Sequence, residues 1–144
     1  MGFSARKSDL TGKDAPPFEV KSLDGKPFSL ASLKDKTVLL DFWATWCAPC
    51  RKSMPVLEKI HQEYKDKGLV MLAIDAGEDR DTVEAFLKKN AMPYPVVLGG
   101  ESEILSAFQV TAYPTFVLIK GGKVASHQVG YSGEAALRGM LPKN

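Results

Sequence analysis

The run TVLLDFWA (37–44) is rich in apolar and β-branched residues, carries a single acid at Asp41, and leads within three residues to Cys47-Ala48-Pro49-Cys50. Such a run reads as a strand buried on both faces. Beyond the cysteines, Met54, Leu57, Ile60 and Tyr64 recur three or four residues apart. That spacing predicts an amphipathic helix over about 48–66, with Pro55 kinking it or ending its first turn. A buried strand that runs straight into a helix must belong to a βα unit, and a βα unit needs a second parallel strand beside the first. This one junction therefore constrains the fold more than any other feature of the chain.

The second strand is at hand. Gly68 stops the helix, and LVMLAID (69–75) is another buried-type strand. Residues 76–91 read as a further helix, with Asp81 and Glu84 spaced as a capping box and Val83, Phe86 and Leu87 as its apolar stripe. YPVVL (94–98) suits a short strand and ESEILSAFQV a short helix. PTFVLIK and KVASHQVG, joined by Gly121-Gly122, form the clearest hairpin, and a last helix is expected from Ser132 as N-cap to Leu141. Near the start, PPFEVKSLDGKPFSL reads as a hairpin turning at Asp24-Gly25. Together these predict an α/β fold: a mixed central sheet flanked by helices, with an N-terminal β-hairpin and a helical insertion after the second strand. Residues 1–14 are set apart as a flexible segment and 15–144 as one domain.

Composition excludes several classes. At 144 residues the chain can bury a core without covalent staples, and a net charge of +2 gives no basic footprint for nucleic acid. The longest apolar run, Leu69 to Ile74, is far too short to span a bilayer. The start MGFSARKSDL lacks the apolar core of a signal peptide, which leaves a cytoplasmic protein or one whose export segment is absent. Two cysteines are too few for a disulfide scaffold. One Cys-x-x-Cys with two distant histidines, His61 and His127, does not make a four-ligand zinc set, so no metal and no cofactor is expected.

Redox chemistry remains. A helix N-terminus stabilises a thiolate through its free N–H groups and dipole, and Arg51 and Lys52 add positive charge nearby. The two-residue spacer lets Cys50 attack a mixed disulfide on Cys47 intramolecularly. Cys47 is thus expected to be the exposed nucleophile and Cys50 the shielded resolving thiol.

LLDFWATWCAPC resembles the active-site strand and motif of thioredoxins. From about Ala15 to Leu141 the chain resembles the TlpA/ResA-like (redoxin/AhpC-TSA-like) branch of that superfamily, through the leading hairpin, FWATWCAPCRKSMPVLEKI, the insertion after AIDAG, and TAYPTFVLIKGGKV. The resemblance implies a thiol–disulfide oxidoreductase. It assigns Asp41 as the buried acid behind the cysteines, where desolvation raises a carboxyl's pKa and suits it to proton exchange with Cys50. The lysine that thioredoxins keep near this acid is replaced by Met71. Pro114 matches the family's cis-proline, which leaves the Tyr113 backbone to pair with a substrate strand. Trp46 is a candidate apolar docking surface, and Trp43 is expected in the core. His61 is expected to fill a partly exposed helix face, and Asp75 and Glu78 lie near the site without an assigned role.

The branch further implies a monomer outside the cytoplasm, in the periplasm or on the outer membrane face. There it would reduce protein disulfides, of apocytochrome c or a copper-delivery protein, and be recharged by a membrane dithiol donor. Two rival readings are a thiol peroxidase of the same fold and a non-enzymatic Cys-x-x-Cys binding module. Peroxiredoxins place a threonine three residues before the reactive cysteine, whereas Thr45 stands two before Cys47.

Overall fold

A computed structural model describes residues 10–142 of the chain. Strands β3 (Thr37–Trp43) and β4 (Leu69–Asp75) pair in parallel with no offset, from Thr37 opposite Leu69 to Trp43 opposite Asp75. Helix α1 (Ala48–Tyr64) makes the crossover between them. Strand β5 (Val96–Leu98) adds in parallel beyond β4, and β6 (Thr115–Lys120) and β7 (Lys123–Val129) add antiparallel on the other side. The order β5-β4-β3-β6-β7 is the expected mixed sheet, and Gly121-Gly122 turns the last hairpin at φ 61° and 78°. Strands β1 (Glu19–Lys21) and β2 (Pro27–Ser29) form a separate hairpin around Gly25, tied to the main sheet by a bridge from Ser22 to Val97.

Alternation along β3 divides the core into two layers. Leu39 and Trp43 face α1 and pack with Leu57, Ile60 and Leu137, whereas Val38, Leu40 and Phe42 face Phe18, Leu33, Ile104 and Phe108. Asp41 falls between Leu39 and Trp43, so the pleat points it into the α1 layer. Helices α2 (Arg80–Lys89) and α4 (Glu134–Gly139) also contribute to that layer, through Val83 and Leu137. The short α3 (Ile104–Ala107) sits in the opposite layer through Ile104.

Several boundaries depart from the sequence-based expectation. Helix α1 runs through Pro55 without a break, because Pro55 lies on the exposed face and loses one hydrogen bond of a helix whose apolar face is held in the core. Helix α2 begins at Arg80 and not at 76. Its N-cap is Asp79, which accepts a bond from the Thr82 amide at 2.8 Å, in place of an Asp81–Glu84 box. Glu84 instead pairs with Arg80 at 3.0 Å. Strand β5 starts only at Val96. The last helix begins after Gly133 and ends at Gly139, short of the expected 132–141 span. Residues 1–9 lie outside the described residues, but 10–14, assigned with them to a flexible segment, are held along β7. The Gly12 amide bonds the Val124 carbonyl at 2.8 Å, and Asp14 pairs with Lys123.

Gly99 follows β5 where the chain passes hard against the end of β4. A Cβ at this position would collide with the Asp75 carbonyl and press on Ile74 and Leu105. Gly99→Ala is expected to destabilise the fold by about 1–3 kcal/mol through overpacking, read as a lower midpoint in urea unfolding.

Candidate functional site

The C-terminal ends of β3 and β4 open at the same edge of the sheet, and the site is built there. After Trp43 the chain makes a tight turn, closed by the Cys47 amide bonding the Ala44 carbonyl at 3.2 Å, and enters α1. Cys47 is the N-cap of α1, with Pro49 in the first turn where its missing N–H costs nothing. Cys47 and Cys50 are joined as a disulfide, with Cα atoms 5.2 Å apart, and the Cys50 amide donates to Cys47 Sγ at 3.2 Å. That bond, at the positive end of the helix dipole, stabilises negative charge on this sulfur when the disulfide opens. Cys47 is not the exposed partner of the pair in this oxidised state. Both cysteines are 3% accessible, with Cys47 Sγ held against the first turn by the Cys50 amide.

The exposed group is Trp46, at 67%, whose ring meets that of Tyr113 edge-on at 6.1 Å. Tyr113–Pro114 is a cis peptide directly before β6, and the Gly130 amide bonds the Pro114 carbonyl at 2.7 Å. Val129, the other large exposed apolar side chain among the described residues, immediately precedes Gly130. Trp46, Tyr113 and Pro114 are thus brought together beside the cysteines. Trp43 is core, 1% accessible, with its ring tilted at 40° against that of Phe86 at 5.3 Å.

Asp41 is 2% accessible, flanked in the sheet by Ala73 and Phe116, and its Oδ1 has no hydrogen-bond partner. Met71 lies on the same face, so no cation balances the acid from that position. Burial pushes Asp41 up to about 7. His61 lies farther along α1, edge-on to Tyr94 at 5.7 Å, and joins the helix to the loop before β5 rather than to the sulfurs. Among the described residues no cluster of three or more His, Cys, Asp or Glu side chains is placed to hold a metal ion.

The sequence left Glu78 without a role, yet it reaches the active-site turn. Its carboxylate accepts from the Thr45 amide at 2.9 Å and from the Thr45 hydroxyl at 2.6 Å. The Arg51 guanidinium donates to the Thr45 carbonyl at 3.0 Å. The available signal was topological: parallel β3 and β4 of equal length put residues just past 43 and just past 75 at one edge. Asp75, fully buried, bonds the amides of Gly77 and Glu78 and so shapes the turn that carries Glu78.

An acid raised by burial favours folding while it is protonated. Asp41 therefore contributes stability that is complete below about pH 4 and is lost as pH rises toward 7. Holding the proton up to about pH 7 in the folded state, where an exposed aspartate releases it near 3.8, corresponds to roughly 4 kcal/mol. Asp41→Asn is expected to lose that share of the decline between pH 4 and 8, measured by denaturant unfolding of the oxidised protein. A decline unchanged by the substitution would contradict the buried, proton-holding role.

The Redoxin family profile matches residues 10–141. The thiol-disulfide oxidoreductase ResA of Bacillus cereus is 39% identical over 145 residues, covering 99% of this chain and 84% of the relative. ResA of Bacillus subtilis is 35% identical over 140 residues, covering 96% and 78%. A putative thiol:disulfide interchange protein DsbE from Chlorobium tepidum superimposes with a TM-score of 0.82 at 29% identity, over 90% of this chain and 94% of that one. With the disulfide-bonded Cys47–Cys50 pair capping α1 and a thioredoxin fold around it, the chain belongs to the Redoxin family and is a thiol–disulfide oxidoreductase.

Proposed function

We infer that this oxidoreductase is a reductant of protein disulfides in an extracytoplasmic compartment, with Cys47 as nucleophile and Cys50 as resolving thiol. The observation that carries the reading is the Cys47–Cys50 bond at the N-cap of α1, buried beside an exposed Trp46. Starting from the dithiol, the Cys47 thiolate attacks one sulfur of a substrate disulfide, and the other substrate sulfur leaves as a thiolate that takes up a proton. Cys50 then gives its proton to the Asp41 carboxylate and attacks Cys47 Sγ. The mixed disulfide breaks, and the second substrate sulfur departs. Two electrons pass to the substrate, and the enzyme is left in the Cys47–Cys50 disulfide state. Asp41, held near 7 by burial, can accept and release that proton at neutral pH.

Trp46, Tyr113 and Pro114 form the docking surface. An unfolded or extended substrate segment buries apolar side chains on Trp46 and pairs its backbone beside Tyr113. The resemblance to the TlpA/ResA-like branch supports apocytochrome c or a copper-delivery protein as substrate, a membrane dithiol as electron donor, and a monomeric state without nucleic-acid partners. It also supports the periplasm or the outer face of the cytoplasmic membrane as location. Among the described residues no helix is long and apolar enough to cross a membrane.

The spacer Ala48-Pro49 carries no histidine to favour the thiolate between the cysteines. The reduction potential is therefore expected near the roughly −270 mV of thioredoxin and not the roughly −120 mV of a strong oxidant, measured by equilibration with thioredoxin. Reduced protein is expected to accelerate cleavage of insulin disulfides, and Cys47→Ser to abolish this. An active Cys47→Ser variant would reverse the thiol roles. Cys50→Ser expressed in the native host is expected to trap exported proteins on Cys47. Trapped cytosolic proteins alone would overturn the location.

A further inference from the structure

We propose that Glu78 is a positioning residue for thiol–disulfide exchange, acting through Thr45 to hold the turn that presents Trp46 and Cys47. The turn 44–47 closes on itself through one bond, from the Cys47 amide to the Ala44 carbonyl. Its two central residues are Thr45 and Trp46, and that closing bond leaves the Thr45 N–H and C=O to be satisfied elsewhere. Glu78 takes the N–H on one carboxylate oxygen and the Thr45 hydroxyl on the other. Arg51, from the first turn of α1, takes the C=O. Thr45 is thus gripped from β4's following turn on one side and from the helix on the other. The residue after it is Trp46, and the next is the cysteine that caps the helix.

The grip is itself braced. Asp75 Oδ2 accepts from the amides of Gly77 and Glu78 at 2.9 and 2.6 Å, fixing where the Glu78 backbone leaves the strand. Gly99 and Gly100 pack against Asp75 and Gly77 at distances that admit no side chain at Gly99. Burial alone would push Glu78 up, but the neighbouring Asp75 carboxyl and the bonds from Thr45 outweigh it and hold the carboxyl below its ordinary range. Asp75 beside it is pushed up to about 7 by burial and by Glu78. Glu78 therefore meets Thr45 as a carboxylate, whose charge-assisted bonds are the stronger kind. Neither acid needs to touch substrate. Their effect on the reaction passes through the turn, as a small displacement of Cys47 and Trp46 alters attack geometry and docking.

The test uses the full chain in insulin reduction, with kcat and KM measured alongside the thermal midpoint for Glu78→Ala, Glu78→Gln, Thr45→Val, Thr45→Ser and the Glu78→Ala/Thr45→Val double variant. Gln keeps the shape, with an amide oxygen for the Thr45 N–H and an amide N–H for the hydroxyl oxygen, and Ser keeps the hydroxyl. Glu78→Ala and Thr45→Val are each expected to lower kcat/KM by about tenfold, the scale on which small misplacements of reacting groups act. The double variant is expected to fall no further than the worse single one, Thr45→Ser to return within about twofold of the parent, and Glu78→Gln, which keeps the shape but loses the charge, to lie between Glu78→Ala and the parent. Wild-type kcat/KM in Glu78→Ala with only a lowered midpoint would overturn the proposal. So would losses that multiply in the double variant, or a Glu78→Gln as slow as Glu78→Ala. Should Glu78→Ala fail to fold, the contrast between Thr45→Val and Thr45→Ser decides in the same sense.

Discussion

The in-register parallel pairing of β3 with β4 is the constraint on which the rest of the molecule depends. Seven residues on each strand run side by side from Thr37 and Leu69 to Trp43 and Asp75, so both strands end at one level. A one-residue slip would turn every side chain to the opposite face, sending Asp41 away from α1 and Phe42 toward it. The shared end level also brings the turn before Cys47 and the turn bearing Glu78 within hydrogen-bonding range. Chemistry at the carboxyl edge of a parallel pair follows from this geometry, because only there do loops from neighbouring strands meet a helix N-terminus.

Two electrostatic demands are met by opposite means at that edge. Cys47 must be able to carry negative charge, and it stands at the N-cap of α1 with the Cys50 amide aimed at its sulfur. Asp41 must be able to hold a proton, and it stands in the middle of a strand, between apolar neighbours, where a charge is poorly solvated. The helix dipole lowers the cost of charge at one group, and the sheet interior raises it at the other. One βα unit therefore places an amide donor on Cys47 and a buried acid raised to about 7 at Asp41, as the proposed proton exchange requires. With Met71 where a lysine would offset it, Asp41 is shifted by burial alone, so the tuning is set by packing.

Much of this was legible in the sequence, for physical reasons that can be named. Long apolar strands and the strict spacing of Met54, Leu57, Ile60 and Tyr64 leave few alternatives, and they located β3, α1 and β4 closely. The two cysteines stood out because thiols are scarce and their spacing is chemically meaningful. Less legible were features decided by competition between neighbours. Asp79 and Asp81 could each cap α2, and Asp79 wins because the preceding turn is already shaped by Asp75, which accepts from Gly77 and Glu78. Ser132 looks a better N-cap than Gly133, yet the last helix starts after the glycine, whose φ of 103° breaks the chain direction there. The role of Glu78 was illegible because it spans 33 residues of sequence and exists only once the strand order is known.

In the disulfide state the reacting sulfurs are hidden while Trp46 and Val129 stand out, on either side of the cis-proline corner. A molecule that exchanges with this disulfide has to reach a Cys47 that is 3% accessible beside an exposed apolar surface. The turn 44–47 is the only covalent link between the strand and that cap, so the stiffness of the turn governs how far Cys47 can move. Bonds from Glu78 and Arg51 to Thr45 stiffen it at a point two residues from the sulfur, so the strand end is held fixed beside the helix cap. In the proposed reaction the nucleophile approaches two different sulfurs in turn, and a strand end held in this way keeps the proposed docking surface in place while it does so.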